Sequence, residues 1–217
     1  MPTRKPTITA HAGAMGYPDN SIEAIQAGID AGADVVEIDL SFTPQGEPVL
    51  SHDEPRGGES TLADAFGLLR RHPAIRMNID LKRPSAHLAK VQALAEETGL
   101  TDRVFFTGIP EEWIPDVRRQ CPDIPYYLNR EMEERHYADE SYYAQLAQTA
   151  SRLGALGLNI HYGGAHPALS RILHARGLEL SLWTVNAPED IRAALAANPD
   201  NITSRRPDIA IRLIDEE

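Results

Sequence analysis

Strand-length apolar runs alternate with helical patterns along almost the whole chain, and this alternation leaves few folds open. The strand candidates are residues 7–11, 35–41, 48–52, 76–82, 103–107, 124–128, 157–161, 179–185 and 201–204. Helical patterns fill 21–31, 61–71, 85–98, 111–120, 140–153, 167–176 and 188–197. Asn20 or Ser21 is placed to cap the first helix, with Glu23 in its opening turn. Gly32, Gly99, Gly154 and Gly177 each follow a helix where a left-handed residue is wanted. No linker, low-complexity run or repeat interrupts the order, so residues 1–217 read as a single α/β domain. Eight or nine strands in 217 residues predict a compact (β/α)8 barrel rather than an open sheet. One junction departs from the pattern. Only the turn Thr43-Pro44-Gln45-Gly46 separates the second and third strands, too short for a parallel crossover. A hairpin irregularity after the second strand is therefore expected, and it returns His52 to the level of Glu37 and Asp39. One of the nine candidates is surplus to an eight-stranded barrel.

Bulk properties narrow the partners. At 42% hydrophobic, the chain is long enough to bury a substantial core. A net charge of -11 argues against nucleic acid, because neutralising phosphates needs a cationic surface. The one cysteine, Cys121, leaves no internal disulfide to form and reads as a bystander. Residues 1–6 are polar and lead straight into the first strand, and no apolar segment reaches signal-peptide or membrane-span length. The expectation is a cytoplasmic protein with no membrane span.

The chemistry concentrates at strand ends, where a barrel of this kind carries its functional residues. Residues i and i+2 of a strand share a face, so Glu37 and Asp39 point the same way, about 7 Å apart. Val36, Ile38 and Leu40 take the opposite, apolar face. Two inward acids among aliphatics are costly unless a cation sits between them. A half-exposed strand with its acids in water is the bland alternative. Against it stand the other strand ends: His11, His52 and Asp53, then Asn78, Asp80 and Lys82 on one face, then His161 and Trp183. Three carboxylates (Glu37, Asp39, Asp80) without a cysteine cluster favour one hard divalent cation, Mg²⁺ or Ca²⁺. His11 and His52 suit proton transfer near neutral pH. Lys82 suits an anionic substrate group or an ion pair with Asp80 or Asp39. Cation, two histidines and a lysine together describe phosphodiester cleavage better than other common reactions.

The motifs now on the page resemble the glycerophosphodiester phosphodiesterase family. The matching runs are His11-Ala12-Gly13, Asp19-Asn20-Ser21, Gly32-Ala33-Asp34, Glu37-Ile38-Asp39, Thr43-Pro44-Gln45-Gly46, His52-Asp53, Asp80-Leu81-Lys82, Trp183-Thr184-Val185-Asn186 and Ile202-Thr203-Ser204 with Pro207. The resemblance spans nearly the full chain in order. It implies a TIM barrel, a metal held by Glu37, Asp39 and Asp80, and His11 and His52 as the acid–base pair. It further implies Lys82 on phosphate and Trp183 on the alcohol side, with a small phosphodiester as substrate. His161 ends a strand and is a candidate for the same pocket. The implied reaction yields an alcohol and glycerol phosphate; the sequence does not assign acid and base between the two histidines, and His52 as acid with His11 as base is the preferred order.

Several positions depart from the family pattern. Ala12 stands where the family carries a phosphate-binding arginine, a contact worth about 2–3 kcal/mol as a charge-assisted fork. Arg205, Arg206 and Arg56 are the candidates to compensate, and nothing in the sequence places them. Asp80 is one methylene shorter than the family's third ligand, and Ser204 replaces an acid. Residues 54–61 leave little room for the family's insertion domain, so an open or minimal pocket is expected. The missing arginine, Asp80-Leu81-Lys82 and Ser41-Phe42 also resemble the sphingomyelinase D/phospholipase D relatives, whose product is a cyclic phosphate. A catalytically silent barrel that binds a phosphorylated ligand is the alternative of another class. His72, His87, His136 and His174 read as surface residues, and His166 as a helix cap.

Overall fold

The surplus strand is the third. In the computed structural model, which describes residues 5–216, all nine candidates form strands. Residues 1–4, most of the polar lead-in at 1–6, and residue 217 lie outside the described residues. The strands are β1 (Thr7–Ala10), β2 (Val35–Phe42), β3 (Pro48–Leu50), β4 (Arg76–Leu81), β5 (Val104–Ile109), β6 (Tyr126–Arg130), β7 (Gly157–His161), β8 (Glu179–Trp183) and β9 (Asn201–Ser204). Eight run parallel in the order β1-β9-β8-β7-β6-β5-β4-β2, and β1 pairs with β2 to close the ring. This is the (β/α)8 TIM barrel. The long β2 has two neighbours on one edge. Val35 and Val36 pair with β1, while Leu40 to Phe42 pair antiparallel with β3. Thus β3 sits above β1, outside the parallel ring.

Eight α-helices alternate with these strands: α1 (Ile22–Asp30), α2 (Leu62–Arg70), α3 (Ala89–Thr98), α4 (Ile114–Gln120), α5 (Glu140–Leu153), α6 (Pro167–His174), α7 (Pro188–Ala196) and α8 (Pro207–Glu216). Local chemistry sets their ends. Ser21 Oγ caps α1 by accepting from Ala24 N, and Thr61 and Asp64 form a reciprocal capping box on α2. His166 caps α6 through its side chain, as its position at the helix start implies. Gly99 and Gly154 end α3 and α5 in the left-handed conformation. The helical pattern read at 85–98 begins late, at Ala89, because Ser85 Oγ holds His87 N in a turn first. The final helix, α8, was not among the sequence candidates. Pro207 opens it, and Ala210, Leu213 and Ile214 bury its inner face.

Apolar alternates of the strands, among them Ile8, Ile38, Leu40, Ile79, Phe106, Leu128, Ile160 and Leu182, join one core with the helices. Val35, Phe105, Tyr127 and Leu156 form a separate small cluster at the strand starts, the floor of the barrel. Cys121 belongs to the core: Sγ donates to Leu88 O at 3.2 Å, and burial pushes its thiol up to about 12. No helix among the described residues is long and apolar enough to cross a membrane.

Candidate functional site

The polar alternates of the strands face the opposite way and meet at the barrel mouth. Parallel register sets Asp80 of β4 directly beside Asp39 of β2. One oxygen each from Glu37, Asp39 and Asp80 lies within 4.8 Å of the other two. Gly108 makes room for this arrangement. It sits at an irregularity in the β5–β6 pairing with φ +72, where a Cβ would collide with the Asp80 carboxylate and the Leu81 backbone. Asn20, itself left-handed, pins Asp39 from both sides: Nδ2 donates to Asp39 Oδ2 and Oδ1 accepts from Asp39 N, each at 2.8 Å. The Thr107 hydroxyl lies 3.1 Å from Asp80 Oδ1. Lys82 Nζ sits 2.8 Å from Asp39 Oδ1 and also donates to Asp80 Oδ2.

Electrostatics follow from crowding acids in a dry place. Burial, then the charges of Asp80 and Asp39, push the Glu37 carboxyl well above its ordinary range. Burial likewise raises Asp80, opposed by Lys82. Burial works against the Lys82 ammonium, but Asp80 and Asp39 outweigh it and hold the lysine above its usual value. His11 directly follows β1 beside this cluster, with Nε2 3.8 Å from Glu37 Oε1. Burial, then the charge of Arg205, lowers its imidazole to about 4, so it is neutral at physiological pH.

The acids fit a hard divalent cation. Their donors are all oxygen, and three carboxylates against one ammonium leave an excess of negative charge for such an ion to balance. Asp39 Oδ1 is buried and, although Lys82 is near, receives no well-aligned hydrogen bond.

A cavity of about 910 Å³ opens above the cluster. It is lined by His11, Glu37, Asp39, Asp80 and Lys82 and also by His52 and Trp183, so most of the residues singled out in the sequence converge. His52 stands at the rim. Ser51 N donates to Asp39 O, which puts His52 at the foreseen level, but the ring is 67% exposed and its Nδ1 pairs with Asp53 at 3.1 Å. His161 is not among the lining residues. Its Nδ1 accepts from Gly163 N, which turns the ring outward, and the ring packs T-shaped against Trp183 with 5.4 Å between centroids. The pocket is open beside His52, as the short 54–61 segment implies, yet it is not minimal. Other segments build its walls: Pro110, Glu112 and Trp113 after β5, Arg130 at the end of β6 and Glu131 after it.

Asp19 and Arg205 also line the cavity. Asp19 was part of a quoted motif without an assigned function, and Arg205 was one of three arginines without a position. Arg205 Nη1 and Nη2 donate to Asp19 Oδ1 and Oδ2 at 2.6 and 3.0 Å. Arg206 instead pairs with Asp208 at the start of α8, and Arg56 does not line the cavity.

Comparison with known proteins gives a consistent picture. The model of the Glycerophosphoryl diester phosphodiesterase family matches residues 11–71 and 61–209. A glycerophosphodiester phosphodiesterase from Caldanaerobacter subterraneus subsp. tengcongensis is 23% identical, over 97% of this chain and 98% of that one. Among solved structures, a putative glycerophosphoryl diester phosphodiesterase from Silicibacter pomeroyi superposes with a TM-score of 0.84 at 20% identity, covering 100% of this chain and 95% of that chain. A phosphodiesterase from Oleispira antarctica, in complex with the product sn-glycerol-3-phosphate, has a TM-score of 0.77 at 18% identity, with 97% of each chain covered.

Proposed function

The chain belongs to the glycerophosphoryl diester phosphodiesterase family, whose members are phosphoric diester hydrolases, and on that footing we propose that it hydrolyses glycerophosphodiesters to an alcohol and glycerol phosphate at the barrel mouth. The observation that carries this reading is the meeting of Glu37, Asp39 and Asp80 within 4.8 Å, beside a half-buried, neutral His11. Those three acids would hold one Mg²⁺ or Ca²⁺ ion, which, when bound, supplies a Lewis acid for a phosphate oxygen. His11, neutral at pH 7, is the proton acceptor. His52 at the open rim delivers a proton to the departing alcohol, where solvent can recharge it. Lys82 orients Asp39 and Asp80 by placing one ammonium between the two carboxylates. Trp183 forms the wall on the alcohol side, held by its T-shaped contact with His161. The product class matches the sn-glycerol-3-phosphate bound by the Oleispira antarctica protein.

The test is a panel of diesters, including glycerophosphoethanolamine, followed by ³¹P NMR. Turnover is expected with added Mg²⁺ or Ca²⁺ and is abolished by EDTA. His11→Ala and His52→Ala should each lower kcat by about 10²- to 10⁴-fold, with circular dichroism unchanged. Turnover insensitive to chelation removes the metal from the proposal. A cyclic phosphate as the final signal replaces hydrolysis with the lyase reaction of the sphingomyelinase D-like relatives. No turnover of any diester leaves the ligand-binding barrel.

A further inference from the structure

We propose that Arg205, on the loop after β9, is the residue that grips the substrate's phosphate in this chain, and that Asp19 positions it. The inference deepens the phosphodiesterase reading and rests on it.

The loop after β1 supplies no cation. Ala12, which follows His11, is a buried methyl group at 1% exposure. The next residue is shaped to receive a cation from elsewhere. A Cβ on Gly13 would collide with both Asp19 Oδ1 and Arg205 Nη1, so only glycine lets this ion pair lie across the loop beside His11. Arg205 is brought there by a fixed backbone. Its N–H donates to Asn186 Oδ1 and its carbonyl accepts from Met15 N, both at 2.9 Å. Thus the loops after β1, β8 and β9 are tied together at one residue.

The guanidinium has donors to spare. Asp19 takes one N–H from each Nη, end-on. Three of the five N–H groups of an arginine, Nε–H among them, then remain, and they have no partner among the described residues. Free donors of this kind suit the side-on, bidentate recognition of a phosphate. The other cationic side chains lining the cavity are placed differently. Lys82 is shared by Asp39 and Asp80, and Arg130 donates to Glu111 at 2.5 Å. Arg130 keeps unused donors as well, Nε–H among them, but it ends β6, opposite β1 in the ring, whereas Arg205 holds its unused donors in the cavity wall beside His11. Asp19 neutralises much of the charge, so the grip relies on directed hydrogen bonds more than on net charge.

The test uses the whole chain, loaded with whichever ion supports turnover, and inorganic phosphate as the probe. Arg205→Ala should raise KM and the inhibition constant of phosphate together, by roughly 10- to 100-fold, the loss of a charge-assisted fork. Arg205→Lys should recover only part of this, because a point charge lacks the fork. Asp19→Asn should weaken phosphate a few-fold, while Arg206→Ala, one residue on, should leave it unchanged. A purely structural role would instead lower the melting temperature and kcat and leave phosphate affinity alone. Phosphate binding equal in wild type and Arg205→Ala, or weakened equally by Arg206→Ala, overturns the proposal. If no diester is turned over, the phosphodiesterase reading fails separately. Calorimetry with phosphate, wild type against Arg205→Ala and Arg205→Lys, still decides the arginine.

Discussion

At the floor of the barrel Tyr127 donates its hydroxyl to Glu179, and Arg76 lies 4.8 Å over the Phe105 ring, whereas at the mouth two of three clustered carboxylates share a single lysine and the third, Glu37, has no lysine or arginine partner among the described residues. The contrast extends to the backbone. On the floor side, Asp34 accepts from Ile8 N at 2.9 Å, Asp200 accepts from Leu180 N at 2.8 Å, and Arg103 caps the carbonyls of Leu69, His72 and Ile75. On the mouth side, five buried side-chain atoms lack a hydrogen-bond partner: Asp39 Oδ1, Ser41 Oγ, Arg130 Nε, His136 Nδ1 and Trp183 Nε1. Four of the five stand on the last two residues of strands or on the loops that follow them, Asp39 lies in the second half of β2, and none is at the floor among the described residues. Buried polar groups are normally satisfied, so a cluster of exceptions at one end marks where the fold has traded stability for reactivity. The floor holds the barrel together, and the mouth holds groups ready for a ligand.

The sharpest way to break this division is Glu37→Gln. Turnover should fall by on the order of 10³-fold, since one of three acids in the proposed metal site is lost. Stability should move the other way in the presence of chelator. The Glu37 carboxyl is held well above its ordinary range, so the folded protein keeps a proton that the unfolded chain releases. Folded stability therefore declines as pH rises above the ordinary glutamate value toward the raised one. Glu37→Gln should flatten that decline, read as urea midpoints at acidic and neutral pH in EDTA. A variant that is less stable than wild type at neutral pH in chelator would place Glu37 among the structural residues instead.

Tyr127→Phe is the matched substitution at the floor. It leaves the Glu179 carboxylate without its hydroxyl donor and should cost about 1–3 kcal/mol of stability. Its kcat at a permissive temperature should equal wild type. A loss of kcat comparable to that of Glu37→Gln would show that the two ends are coupled rather than divided.

The smallest expected effect is on a helix cap away from both ends of the lumen. Thr61→Ala breaks the reciprocal bonds with Asp64 at the start of α2 and should cost about 1 kcal/mol, measured by chemical denaturation, with turnover unchanged.

Much of this molecule is written locally. Alternation along β2 puts Glu37 and Asp39 on one face and Ile38 and Leu40 on the other, and the helix ends at Ser21, Thr61, Gly99 and Gly154 follow from single residues. The hairpin after β2 follows from the shortness of its turn. These features depend on neighbours within a few positions, so the sequence alone determined them. The C-terminal helix α8 is also local, but its short apolar stripe of Ala210, Leu213 and Ile214, set among charges, only becomes persuasive once β1 and β9 provide a surface to cover.

Tertiary structure decided the rest. Which strand was surplus depended on β1 closing against β2, a pairing no local pattern encodes. The union of Asp39 with Asp80 needed the parallel register of β2 and β4. His161 was turned outward by the tight turn after β7, and His52 was left at the rim by a loop too short to cover it. Arg205 and Asp19 lie 186 residues apart and meet only because the barrel closes. Periodicity and capping act through bonds along the chain, whereas register and loop direction are set by packing between distant segments, and the contacts that make the site are of the second kind.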